Sequence, residues 1–264
     1  MKQSDIRQQW EAFVQTYPQF FTKSDDPILP TPLTTTTTIS SKSTTLKDCS
    51  SSSSFDPTTT ASSSNKRRKS AYEEISCKLA HQHSTNSNQM FVSDPSLWHA
   101  YHDRRDQSFL GYDVHADIPV NQIIAYLETK KMHTLNILDL GCGRNKIAQH
   151  FSSHSSSSPH NVHVTGYDHV AHNGSIACDI ATLPDADESV NMCIYSQSLM
   201  GSNWQQYLQE GYRVLVYHGE MIIAESIDRY ETILAFVNQQ LHMHILSSPP
   251  EMNRRWFVLQ AIKR

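Results

Sequence analysis

Apolar and polar residues alternate along the C-terminal two thirds of the chain in a pattern that predicts short strands separated by amphipathic helices. Strands are predicted from short apolar runs, and helices from apolar residues spaced three and four apart. The predicted strands are 136–140, 162–167, 175–178, 190–195, 220–225, 241–246 and 256–262, and the predicted helices begin at Pro119 or span 146–151, 204–215 and 229–240. This alternation favours an α/β fold with a parallel sheet covered on both faces.

The last two predicted strands, 241–246 and 256–262, are joined by a loop that contains Pro249 and Pro250. This spacing predicts an antiparallel hairpin, and a hairpin that closes a parallel sheet is expected of class I methyltransferases rather than of dehydrogenases. We therefore predict that residues 89–264 form an α/β, Rossmann-like class I methyltransferase domain. Its sheet should be mostly parallel and seven-stranded, with the antiparallel hairpin at the C-terminus.

The residues before this domain have a different composition. Residues 23–88 are rich in Ser and Thr and hold few large apolar residues, which predicts a disordered linker. Residues 1–22 carry Ile6, Trp10 and Phe13 at helical spacing and are predicted to form an amphipathic helix. That helix either docks into the groove of a partner protein or packs back onto its own domain, and the sequence leaves both open.

Charge and motif content narrow the possible partners. The net charge is −4, so the chain as a whole does not have the basic character of a nucleic-acid binder. The cluster Lys66-Arg67-Arg68-Lys69 is either a nuclear-import signal and weak phosphate anchor or a solvated charge run. No apolar run approaches the length of a membrane span. The cysteines form no CxxC pair and the histidines are scattered, so no metal site is expected.

The clearest local signal is a strand, glycine turn and helix unit, in which Asp139 ends the strand and Gly141-Cys142-Gly143 forms the turn. Such a turn lets the backbone approach a ligand closely. A third glycine at dinucleotide spacing is missing, and Asp139 would repel a pyrophosphate. S-adenosylmethionine carries a cationic sulfonium and an ammonium group and no phosphate, so it suits this acidic strand end. The alternative is a tightly packed turn without a ligand.

Two further acidic positions follow the next strands. Asp168 ends the second strand, where a carboxylate can accept hydrogen bonds from ribose hydroxyls. After the third strand, Asp179 can accept from the exocyclic amine of adenine while Ile180 contacts the ring. Either aspartate alone could be a chance surface residue. Their occurrence in order after the correct elements predicts a nucleoside site.

The segment after the fourth strand, 195–203, borders the methyl group and its acceptor in this architecture. It lacks the Pro-Pro-aromatic motif typical of exocyclic-amine methylation, and it lacks the nucleophilic cysteine needed for methylation of pyrimidine carbon 5. A ring nitrogen with its own lone pair needs little more than positioning. The sequence is compatible with such an acceptor and assigns no catalytic residue.

Several segments together resemble the nucleomethylin family of ribosomal RNA-processing methyltransferases. The matching motifs include Tyr101-His102, Asp139-Leu140-Gly141-Cys142-Gly143, Tyr167-Asp168, Ala177-Cys178-Asp179 and Ser198-Leu199-Met200-Gly201. The resemblance covers about residues 98–262. It implies methylation of N1 of an adenine in large-subunit rRNA during ribosome biogenesis, with RNA as partner and the nucleus and nucleolus as location.

The same resemblance implies a set of cofactor-binding residues: His102, Gly141, Asp168, Asp179, Ile180 and Ser196. His102 would act as a lid, and Ser196 stands where relatives have cysteine. Without the resemblance, His102 could equally be a packed or exposed histidine. Two other functions stay open from the sequence: methylation of a small molecule or protein, and a non-catalytic cofactor-binding scaffold in the nucleolus or chromatin.

Overall fold

The computed structural model describes residues 70–109, 118–130, 134–153, 161–247 and 255–264. The helix predicted over residues 1–22 and the basic cluster at 66–69 lie outside the described residues. None of the described helices is long and apolar enough to cross a lipid bilayer.

A seven-stranded sheet forms the centre of the fold, with the strand order β3-β2-β1-β4-β5-β7-β6. The strands are β1 (Thr134–Leu140), β2 (Asn161–Asp168), β3 (Ile176–Ala177), β4 (Val190–Ser196), β5 (Leu215–Ser226), β6 (His244–Ser247) and β7 (Trp256–Ile262). Strands β1 to β5 pair in parallel, and β7 pairs antiparallel with both β5 and β6. The predicted mostly parallel sheet with its antiparallel hairpin is confirmed.

Helices cover both faces of this sheet, so the central strands are buried on both sides. The helices are α1 (Ala71–His81), α2 (Ser84–Ser93), α3 (Pro95–Phe109), α4 (Pro119–Glu128), α5 (Lys146–Ser153), α6 (Trp204–Val214) and α7 (Tyr230–Gln239), and a 3-10 turn, Ile227–Arg229, precedes α7. In β4, the consecutive residues Cys193, Ile194 and Tyr195 are all fully buried. Consecutive burial explains why this strand reads as a continuous apolar run.

Strand order reverses between β1 and β4, because the chain leaves β1 toward β2 and β3 and then returns to the opposite side of β1. In open α/β sheets, ligands bind in the crevice at this switch point, beyond the carboxyl ends of the strands. The turn after Leu140, the end of β2 at Asp168 and the end of β4 at Ser196 therefore meet at one edge of the sheet.

The prediction of a disordered linker over residues 23–88 is wrong for residues 71–88. Residues 71–81 form α1, and residues 84–88 form the first half of α2. Ser70 and Glu73 build a capping box: the Ser70 hydroxyl accepts from the Glu73 N–H, and the Glu73 carboxylate accepts from the Ser70 N–H. Ile75 and Leu79, one turn apart, bury their side chains in a cluster with α2 and α3. Because most residues of the segment are polar, its composition did not indicate that these few apolar side chains are buried.

The bounds of several strands also differ from the prediction, most clearly those of β3 and β5. Strand β3 contains only Ile176 and Ala177, while β5 begins at Leu215, directly after α6. The early start of β5 includes a register irregularity against β4 between Val190 and Met192. Within this stretch His218 adopts a left-handed backbone conformation (φ 65°), which is uncommon for a residue other than glycine.

Candidate functional site

The glycine turn after β1 is fixed to the end of β2 by backbone hydrogen bonds. The N–H groups of Gly141 and Cys142 both donate to the carbonyl oxygen of Tyr167, at 2.8 and 3.0 Å. Gly141 has a positive φ of 77°, and a Cβ at this position would lie 2.4 Å from Cβ of Ser198. Both the conformation and the close approach therefore require glycine here.

Asp168 connects three parts of the site through one carboxylate. Its Oδ2 accepts the backbone N–H of Gly143 at 2.8 Å, and its Oδ1 accepts the indole N–H of Trp98 at 2.7 Å and the N–H of His169 at 2.8 Å. A carboxylate offers about four acceptor positions. Three are used by the protein, which leaves a position on Oδ2 for a ligand hydroxyl.

Asp139 is a buried carboxylate at the penultimate position of β1, and its Oδ1 has no hydrogen-bond partner among the described residues. Burial and then the neighbouring Asp168 raise its pKa to about 7, while Arg105 acts in the opposite direction. A buried acceptor without a partner costs free energy unless a ligand satisfies it. The position therefore suits a cationic hydrogen-bond donor.

His102 packs from helix α3 onto the glycine turn. Its ring centroid lies 4.2 Å from that of Trp98, and a Cβ on Gly143 would lie 2.8 Å from its Cε1 atom. Burial, followed by the charges of Arg105 and Arg144, lowers the pKa of His102 to about 2. The imidazole is therefore neutral at physiological pH, and it covers the site as an uncharged surface.

Two cavities adjoin at this edge of the sheet and share the lining residues His102, Arg105, Gly141 and Gln197. The smaller, of about 70 Å³, is also lined by Asp168 and Ile180. The larger, of about 400 Å³, is also lined by Asp139 and Ser196. Together they form a continuous lining from the end of β2, past the glycine turn, to the end of β4.

Five of the six predicted cofactor-binding residues line these cavities: His102, Gly141, Asp168, Ile180 and Ser196. Asp179 is not among the lining residues of either cavity in the described part of the chain. Its Oδ1 instead accepts the backbone N–H of Ala181 at 3.0 Å, which stabilises the turn that carries Ile180. A role for Asp179 in adenine recognition stays a prediction.

The sequence did not single out several residues that line the cavities. Arg105 lies one turn after His102 on α3, so the helical spacing of a predicted site residue could have indicated it. Leu79 and Phe91 come from α1 and α2, and they also line the smaller cavity. No local pattern could have indicated these two, because their position over the site depends on how the helices pack.

The loop after β4 is held by two residues near the end of β5. Glu225 accepts the backbone N–H of Leu199 through Oε1 at 2.9 Å, and Arg229 donates to the Leu199 carbonyl oxygen at 2.7 Å. Glu225 is 5% exposed and also forms an ion pair with Arg229 at 3.4 Å. Both polar backbone groups of Leu199 are thereby fixed, which positions the loop against Gly141.

Curated relatives share sequence with this chain. A protein of Schizosaccharomyces pombe named 25S rRNA (adenine(645)-N(1))-methyltransferase is 37% identical over 155 residues, covering 56% of this chain and 46% of that protein. A Dictyostelium discoideum protein named ribosomal RNA-processing protein 8 is 32% identical over 183 residues, covering 69% and 44%. The chain thus spans less than half the length of these two relatives.

A solved structure supports the fold. The [4+2]-cyclase SpnF aligns with a TM-score of 0.50 at 16% identity, covering 70% of this chain and 97% of that chain. Because that protein is named a cyclase, the shared fold does not by itself specify the reaction.

The profile of a family described as "hypothetical methyltransferase" matches residues 61–264, which is most of the chain and includes every residue of the site described above. With the named relatives, this match confirms the resemblance found in the sequence motifs. The chain therefore belongs to this methyltransferase family.

Proposed function

We propose that this protein is an S-adenosylmethionine-dependent methyltransferase that modifies N1 of an adenine in large-subunit ribosomal RNA. The observation that carries the proposal is the 37% identity to the Schizosaccharomyces pombe protein named as an rRNA adenine-N1 methyltransferase. The geometry of the site supports it, because the acidic and glycine positions expected for this cofactor lie together at the switch point of the sheet.

The residues of the two cavities fit the cofactor. Asp168 has an acceptor position left for a ribose hydroxyl, and Ile180 offers an apolar contact for the adenine ring. Gly141 presents bare backbone, and the unpartnered Oδ1 of Asp139 suits an ammonium donor. His102 covers the turn as a neutral ring. When bound, S-adenosylmethionine would supply an electrophilic methyl group on a positively charged sulfur.

The larger cavity is where we place both the amino-acid end of the cofactor, next to Asp139, and the target base. Its volume of about 400 Å³ falls in the range of small-molecule sites, and it is lined by Ser196 and Gln197 at the end of β4. Methylation breaks the sulfur–methyl bond and forms a bond to the lone pair of N1, and the positive charge moves to the base. No proton has to leave, so positioning by the loop that Glu225 and Arg229 hold is the main requirement.

Transfer of a tritiated methyl group to total RNA from cells lacking the protein tests this function. We expect label in large-subunit rRNA that digestion releases as 1-methyladenosine, and we expect its loss in Asp168→Ala. Asp187→Ala is the matched control, because Asp187 is exposed and pairs with Arg213 away from the site. Label only in proteins or metabolites would contradict the RNA substrate. Cofactor binding without transfer to any pool would favour a scaffold.

We further propose that the protein works in the nucleus and nucleolus, with the segment 1–22 binding a protein partner. The relatives named for ribosomal RNA processing and the basic cluster at 66–69 support this location. Replacing the four basic residues with alanine in a fluorescent fusion should reduce its nuclear fraction. An unchanged distribution would show that the cluster is not an import signal.

A further inference from the structure

Arg105 stands apart from the other basic residues near the site. It projects from α3 one turn after His102 and lines both cavities. Its Nη2 atom donates to Oε1 of Gln197 at 2.8 Å and lies 3.5 Å from the carbonyl oxygen of Ser196. Among the described residues Arg105 forms no ion pair, although it is half-buried.

The neighbouring cations are already neutralised. Arg144 pairs with Asp103 and Asp106, and Lys146 pairs with Asp106 at 2.9 Å. These two cations line the larger cavity as well, but their charges are balanced by the protein. Arg105 is therefore the cation at this edge, within the described ranges, that forms no ion pair, although the carboxyl groups of Asp139 and Glu225 lie close enough to interact with its charge. A half-buried guanidinium in this position favours an anionic ligand.

A carboxyl group faces the same space. Asp139 lines the larger cavity with Arg105, yet the two side chains do not form an ion pair. The two groups are close enough to interact electrostatically, because the positive charge of Arg105 lowers the pKa of Asp139 and so opposes the effect of burial. The cavity wall next to Gly141 thus carries a guanidinium and a carboxyl group that are kept apart, and an ammonium group of a ligand would favour the ionised form of that carboxyl group. A ligand with both charges, such as an α-amino acid, complements this arrangement.

We propose that Arg105 binds the α-carboxylate of the amino-acid end of the cofactor, while Asp139 faces its ammonium group. This inference rests on the proposed function. Gln197 uses Nη2 of Arg105, so the guanidinium retains N–H groups that can bind a carboxylate with charge-assisted hydrogen bonds. Gln197 and the Ser196 carbonyl hold the guanidinium in place at the end of β4. Arg105 thereby binds the amino-acid end of the cofactor, and Asp168 binds its nucleoside end.

The proposal predicts discrimination between two ligands that differ in a single group. S-adenosylhomocysteine carries the α-carboxylate, and its decarboxylated analogue keeps the adenosine, sulfur and amine but lacks that carboxylate. The unaltered full chain should bind S-adenosylhomocysteine more tightly than the analogue. In Arg105→Gln this preference should disappear, because a neutral side chain cannot form the charge-assisted hydrogen bonds.

Isothermal titration calorimetry of the full chain with both compounds tests the proposal. We expect Arg105→Gln to weaken binding of S-adenosylhomocysteine by roughly 10- to 100-fold, as for loss of hydrogen bonds to a charged group, with the analogue unchanged within about twofold. Arg105→Lys should recover part of the loss. Arg104→Gln is the control, since Arg104 is exposed and donates to Gln107 on the same helix.

Each other outcome overturns the proposal. Unchanged affinity of Arg105→Gln for S-adenosylhomocysteine would show that the carboxylate is bound elsewhere. Equal weakening of both compounds would show that Arg105 supports the pocket as a whole and does not recognise the carboxylate. If the unaltered chain bound neither compound, the proposed function itself would fail, and the inference would fail with it. Binding of the analogue also reports whether each variant retains a folded site.

Discussion

The indole N–H of Trp98 donates to Oδ1 of Asp168 at 2.7 Å, which connects helix α3 directly to the end of strand β2. Trp98 is 1% exposed and packs against His102, so the helix that covers the site is anchored by the same carboxylate that we assign to the ribose. Closure of the site by α3 and recognition of the nucleoside therefore share one residue.

Trp98→Phe should destabilise the fold while retaining most of the aromatic packing. The variant loses a hydrogen bond to a carboxylate, which costs about 2 kcal/mol of unfolding free energy, and a smaller ring leaves some space unfilled. Urea unfolding measures the difference. Trp204→Phe is the control, because the indole nitrogen of Trp204 has no hydrogen-bond partner in the described part of the chain. Equal losses in the two variants would contradict a special role for the Trp98 bond.

Gly141→Ala should be more destabilising than Gly174→Ala, although both residues have positive φ angles of 77° and 82°. The left-handed conformation costs an alanine about 1–2 kcal/mol at either position. At Gly141 the new Cβ would also meet Ser198 at 2.4 Å, whereas the nearest atom at Gly174 is 4.0 Å away. We expect a further loss of about 1–3 kcal/mol from this overpacking. Denaturant titrations of both variants provide the comparison, and similar values would argue against the close contact.

Asp139 should make the unfolding free energy fall as the pH rises. Its pKa is raised from 3.8 to about 7 in the fold, mainly by burial. Between these two values the unfolded chain releases the proton while the folded protein keeps it, so folding loses stability with increasing pH across this window. The shift corresponds to something on the order of 4 kcal/mol.

Asp139→Asn removes this titration, so its stability should match that of the unaltered protein near pH 4 and exceed it increasingly up to about pH 7. Urea unfolding of both proteins at several pH values measures the two curves. Parallel curves across the window would mean that Asp139 is ionised in the fold. Binding of S-adenosylhomocysteine near pH 7 should also release a proton, because an ammonium group favours the charged carboxylate.

Glu225→Ala should loosen the loop after β4, because Leu199 N–H would lose its buried acceptor at 2.9 Å. An unsatisfied buried donor costs about 1–3 kcal/mol. Glu225→Gln retains an acceptor oxygen and should lose less stability, although it gives up the charge that pairs with Arg229. Hydrogen exchange of the Leu199 amide separates the two: we expect faster exchange in the alanine variant only. Unchanged exchange in both would show that other contacts hold this loop.

The alternation of apolar runs and amphipathic spacing was sufficient to predict the sheet and its closing hairpin. Strands such as β4, buried on both faces, leave a continuous apolar run in the sequence, and Pro119 at the first turn of α4 indicates a helix start. The turn at Gly141 could be predicted because its conformation admits few residues other than glycine. Features of this kind depend on residues that are close together in the chain, so the local sequence is sufficient to predict them.

Local pattern failed where the structure depends on distant contacts. Residues 71–81 and 84–88 are helical because a few apolar side chains, among them Leu79, are buried against α3. Most residues of this segment are polar, so its composition did not indicate that burial. The capping box at Ser70 and Glu73 is a local sequence signal for the start of a helix. The prediction of disorder gave more weight to the Ser- and Thr-rich composition of the segment.

The sequence by itself determined the class of fold and the acidic and glycine positions at the strand ends, because chain geometry and hydrophobic periodicity act between near neighbours. Only the tertiary structure decided that Trp98 and Arg105 reach the same site as Asp168 and Asp139. Trp98 and Asp168, which share a hydrogen bond, lie 70 positions apart in the chain, and the packing of α3 over the sheet brings them together.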